Sequence, residues 1–162
     1  MANGQAFEAA TGDGPGPPHP ATDPEAAQRR AAEVRVAYEG LLQIRRLSRD
    51  TGGDPRAVPA SWERHRPVRA VALALEAGGF PPSATAPDGT RVATGYRVAP
   101  GDRPGTVRVE WLGPPGGGAA QDEERALTAC ARTLGGLGWE ALLYRGPRRR
   151  RFLEVEPAEA AA

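Results

Sequence analysis

Leu75-Glu76-Ala77-Gly78-Gly79-Phe80 and Leu134-Gly135-Gly136-Leu137-Gly138-Trp139 are two versions of one pattern, and they decide the fold. In each, a last core leucine is followed by a glycine stop and by an aromatic residue where the chain turns back. Before the first, Pro67 opens a helix whose Val68, Val71, Ala72 and Leu75 lie on one face. Before the second, Leu127, Cys130, Ala131 and Leu134 draw the same stripe. Gln121 or Asp122 starts that helix, and Glu123 and Glu124 suit its positive end.

Each stop is followed by a hairpin. Over Arg91 to Val98, the residues Val92, Tyr96 and Val98 alternate with Arg91, Ala93, Gly95 and Arg97. Gly101 to Gly105 supplies the turn, and Val107, Val109 and Trp111 return against Arg108 and Glu110. The second hairpin runs from Trp139 to Tyr144, turns at Gly146-Pro147, and closes with Phe152, Leu153 and Val155. Its first strand is apolar on both faces, which predicts a central place in the sheet. The fold class is therefore α+β. Four mainly antiparallel strands carry helices on one face, as two helix–hairpin units after an N-terminal helical segment.

That N-terminal segment begins at Thr22-Asp23-Pro24-Glu25, where Thr22 and Glu25 have capping-box spacing. Val34, Ala37, Tyr38, Leu41 and Ile44 then predict one buried stripe, with a stop before Gly52-Gly53. Asp54-Pro55 reads as a further short helical turn limited by Pro59, with Trp62 packing the segment onto the domain. Residues 1–21 are rich in Gly, Pro and Ala without an apolar period, so they read as a disordered tail. The division is a tail over 1–21, a helical segment over 22–65, an α+β domain over 66–157, and a second tail over 158–162.

Composition narrows the chemistry. All 21 basic residues are arginine against 20 acidic ones, giving a net charge of +1. Without lysine, a Walker A phosphate loop and an amine nucleophile are both ruled out. One cysteine, Cys130, cannot form an internal disulfide, and its place on an apolar stripe reads as a structural thiol. His19 lies in the tail, and His65 sits between arginines at a helix end. Neither is held as an acid–base site requires. Gly113-Pro114-Pro115-Gly116-Gly117-Gly118 is set aside as a phosphate cradle because prolines remove amide donors. Val68 to Glu76 offers one arginine and few base-edge donors, so it is a core helix rather than a recognition helix.

Two features remain. Arg91, Arg97 and Arg108 face Glu110, Glu154 and Glu156 on the outer sheet surface, which predicts cross-strand pairs and no exposed aromatics. Arg145, Arg148, Arg149, Arg150 and Arg151 form the one single-sign cluster, a candidate contact for a partner or for phosphate. Glu154, Glu156 and Glu159 follow it closely and shorten any basic track. The reading that ranks first is a non-enzymatic cytoplasmic interaction or regulatory module with a protein partner and no cofactor, catalytic residue, metal or membrane span. The alternative is a nucleic-acid-associated protein that uses the arginine tip.

Overall fold

The computed structural model describes residues 7–48 and 53–158. The order is α1 (Pro24–Leu47), α2 (Ser61–His65), α3 (Pro67–Ala77), β1 (Ala84–Thr85), β2 (Arg91–Ala93), β3 (Gly95–Pro100), β4 (Val107–Leu112), α4 (Ala119–Gly135), β5 (Trp139–Arg145) and β6 (Arg151–Pro157). The fold is α+β. β3, β4, β6 and β5 pair in that order, each antiparallel to its neighbour, while β1 and β2 form a separate ribbon.

The two glycine stops close differently. At the first, Phe80 N–H donates to Leu75 O and Gly79 N–H to Glu76 O, with Gly79 left-handed at φ +90°. This is the paired closure of a Schellman motif. At the second, Leu137 is inserted before the left-handed Gly138, so the turn is one residue longer.

Alternation puts Tyr96, Val98, Val107, Val109, Trp111, Leu153 and Val155 on one sheet face, where α3 and α4 cover them. α3 is buried at every position from Ala70 to Leu75 because α1 packs on its other side. Each buried valine or leucine among them contributes about 1.5–3 kcal/mol on leaving water.

Several expectations change. The cap of α1 is Asp23 rather than Thr22; its side chain accepts from Ala26 N at 3.0 Å. The buried stripe of α1 is Val34, Leu41, Leu42 and Arg45, and Ile44 faces solvent. The helical turn expected at Asp54-Pro55 lies instead at α2 and contains Trp62. The strand expected over Arg91 to Val98 breaks after Ala93, leaving Val92 exposed. Just past the break, the chain passes so close to the Pro81 carbonyl that a Cβ at Gly95 would collide with it. The helix stop at Gly52 and the tail residues 1–6 and 159–162 lie outside the described residues.

The largest correction concerns the expected N-terminal tail. Residues 7–14 lie as a strap along the outer edge of β3. Val98 N–H donates to Thr11 O at 2.8 Å, Thr85 N–H to Gly14 O at 2.9 Å, and the Tyr96 hydroxyl to Ala10 O at 2.9 Å. Asp13 bridges Arg91 at 2.6 Å and Arg97 at 2.8 Å. Glu76 accepts from Ala10 N and pairs with Arg30, whose guanidinium lies over the Phe7 ring. Gly12 is left-handed at φ +98°, and a Cβ there would strike the Tyr96 carbonyl. The segment is held by main-chain bonds and by the carboxylates of Asp13 and Glu76, none of which an apolar period reveals.

Candidate functional site

The arginine cluster read from the sequence does not stay together. Arg145 ends β5 and is exposed. Arg151 opens β6 and is drawn to α4: its N–H donates to Glu123 Oε1 at 2.7 Å, and its guanidinium lies 3.4 Å from Glu124. Only Arg148, Arg149 and Arg150 remain at the tip, exposed and without an ion pair or hydrogen bond from their side chains to any described residue. Arg148 and Arg149 are both left-handed, at φ 64° and 62°. For residues with a Cβ this costs about 1–2 kcal/mol each.

The tip faces the start of α4 across a cleft of about 670 Å³. The Gly113 to Gly118 loop forms one wall and the tip the other, with Arg91 and Trp111 also in the lining.

β5 itself is the second feature. It is an edge strand, not the central one expected, because β6 pairs with β4 and leaves β5 outermost. Leu142, Leu143 and Tyr144 are 45 %, 40 % and 43 % exposed. Register with β6 puts Leu142 and Tyr144 on the open face beside Phe152, and Leu143 on the helix side. An unpaired strand with apolar side chains on both faces is a template for another strand. The two-sided apolarity that suggested a central strand has this second meaning, and only strand order separates the two.

The open sheet face also differs from expectation. Arg97 pairs with Glu110 at 2.9 Å, but Arg103 of the β3–β4 turn takes Glu154 and Glu156. Arg108 lies 3.7 Å over the Phe152 ring, which stacks on Tyr144. Aromatics are therefore present there, and Arg91 has left the sheet for the ribbon.

The β5 start is anchored from within. Arg45 and Glu63, each 1 % exposed, pair at 2.7 Å, and Arg45 Nη1 donates to Leu137 O at 2.8 Å. Glu63 Oε2 also accepts from Ala60 N at 2.8 Å. Apolar periodicity gave no sign of this pair: Arg45 lies on the same helix face as Val34, Tyr38 and Leu41, but an arginine does not count toward an apolar stripe.

Cys130 is fully buried, and desolvation pushes its thiol up to about 12. His65 is exposed and its Nδ1 lies 2.8 Å from Ser61 O. His19 Nδ1 accepts from Ala21 N at 3.1 Å. No group of three or more His, Cys, Asp or Glu able to hold a metal occurs among the described residues. No described helix is long and apolar enough to cross a membrane. No family model, curated protein or solved structure matches the chain.

Proposed function

We propose that this protein is a non-enzymatic interaction module that accepts an extended strand of a partner polypeptide along β5. The observation that carries the reading is the bare β5 edge, with Leu142, Leu143 and Tyr144 exposed on its two faces. Strand addition supplies main-chain hydrogen bonds for affinity and side-chain contacts on both faces for selectivity. The inert thiol and exposed histidine lend support to a binding role rather than turnover.

Charge defines the partner further. Arg145 ends the strand without a carboxylate partner among the described residues, so the favoured partner strand is apolar and carries an acidic residue where it passes this position. A second copy of this chain fits less well. In a two-fold antiparallel pair, opposed residues face the same side, so both have odd or both have even numbers. Arg145 then meets Trp139, Ala141, Leu143 or another Arg145, and none is acidic.

A photo-reactive residue at position 142 of the full chain, in its native host, tests this. The expected product is one cross-linked protein, mapped by mass spectrometry to an extended apolar segment with a carboxylate near Arg145. Arg145→Ser weakens the capture, and Tyr144→Lys, on the same open face as position 142, abolishes it while the fold is kept. Cross-links only to a second copy, or only to nucleic acid, overturn the reading.

A further inference from the structure

Resting on the reading of β5 as a docking edge, we infer the pattern of the strand it accepts: from N to C, an acidic residue, an aromatic, two apolar residues, any residue, and a basic one. The strand runs antiparallel to β5, as each neighbouring pair in the main sheet does. Its six positions then lie beside Arg145, Tyr144, Leu143, Leu142, Ala141 and Glu140 in turn.

The two charged positions follow from the ends of β5. Register sets Arg145 opposite Arg151 and Glu140 opposite Glu156, so like charges face each other at both ends of the hairpin, which is unfavourable. The inner members are answered within the chain: Arg151 lies near Glu123 and Glu124, and Glu156 near Arg103. The outer members are not. Arg145 and Glu140 are exposed, and neither has an ion pair among the described residues. No described strand lies outside them. A carboxylate beside Arg145 and a cation beside Glu140 complete both rows. A slip by one residue would turn every side chain to the wrong face, and a slip by two would part both charge pairs, so the pattern also sets the register.

The aromatic position follows from a ladder on the open sheet face. Arg108 is in register with Glu154, but Arg103 takes Glu154, and the Arg108 guanidinium lies instead 3.7 Å over the Phe152 ring. Phe152 in turn stacks on Tyr144, with ring centroids 5.8 Å apart. The ladder crosses β4, β6 and β5 and ends at the exposed Tyr144. A ring placed next on the same face continues it, because aromatic neighbours gain more than area burial alone. Leu142 on that face and Leu143 on the other each call for an apolar neighbour.

Titration of the isotope-labelled full chain with a peptide carrying aspartate-phenylalanine-valine-valine-threonine-lysine, flanked by threonines, tests the pattern by NMR. Expected are saturating shifts in the β5 amides and the Tyr144 ring. Serine in place of the phenylalanine weakens binding at least about fivefold. Exchanging the aspartate and lysine weakens it about fivefold, and the double variant Arg145→Glu with Glu140→Arg prefers the exchanged peptide. That variant replaces two like-charge rows by opposite ones, so the fold is kept. Equal β5 shifts for all three peptides overturn the pattern and leave the docking edge standing. No shift with any peptide, while position 142 still captures an apolar partner segment, overturns the pattern alone. No shift and no capture overturn both. A Tyr144 ring that responds to single-stranded oligonucleotides and not to the peptides also overturns it, and makes the ladder a base-stacking platform.

Discussion

The two edges of the main sheet are treated in opposite ways. The β3 edge is covered by residues 9–14 and by Pro81 to Ser83, whose main-chain groups take up Tyr96 and Val98. Among the described residues the β5 edge has no such cover, and it shows apolar side chains. Proteins commonly blunt edges with charge, proline or a covering segment. Here that protection is given in full to one edge and withheld from the other. The difference teaches where to look for a partner: the chain spends its own N-terminal segment on the edge that must stay closed.

The sharpest way to break the comparison is to free the end of β5 from inside. Glu63→Ala strands the Arg45 guanidinium in the core without its partner, and loss of one member of such a pair costs about 3–5 kcal/mol. Chemical denaturation measures it. Because Arg45 also holds the Leu137 carbonyl at the turn into β5, hydrogen exchange should quicken in β5 more than in β3.

Gly12→Val attacks the other edge. It forces a branched residue to φ +98° and drives its Cβ into the Tyr96 carbonyl, at a cost of about 2–3 kcal/mol. The strap should lift, Val98 N–H should exchange faster, and the newly bare β3 should promote concentration-dependent association, seen by sedimentation. Unchanged exchange at Val98 would show that the strap does not protect this edge.

The smallest effect is a pH dependence confined to the strap. Partial burial raises the Asp13 carboxyl, but hydrogen bonds from Arg91 and Arg97 outweigh it and hold the group below the ordinary carboxylate range. A lowered carboxyl contributes stability above the ordinary aspartate value of about 3.9 and loses it as pH falls through the lowered folded value. Protection of Val98 N–H should therefore fall in acid, below the ordinary range. Asp13→Asn should show the weaker protection at all pH values and lose the acid step.

Legibility followed the type of signal. Alternation in Val107, Val109 and Trp111 and the helical period of Leu127, Cys130 and Leu134 describe one face of one element, and the structure keeps both. The β5 assignment failed because exposed and buried apolar residues look alike without strand order. The strap was missed because Thr11, Gly12 and Asp13 act through main-chain carbonyls and a single carboxylate. The arginine run was found, but its division into Arg145, Arg148 to Arg150, and Arg151 depended on Glu123, 28 residues away from Arg151.

By itself, the sequence determined the α+β class with its antiparallel sheet, the buried cysteine and the unusual concentration of arginine. These follow from short-range periodicity and glycine stops, which act within a turn or two of chain. Tertiary structure alone decided which sheet edge is closed, which arginines stay unpaired, and that the arginine tip and the start of α4 line one cleft. Each of those depends on groups far apart in sequence meeting in space, and no local period records such a meeting.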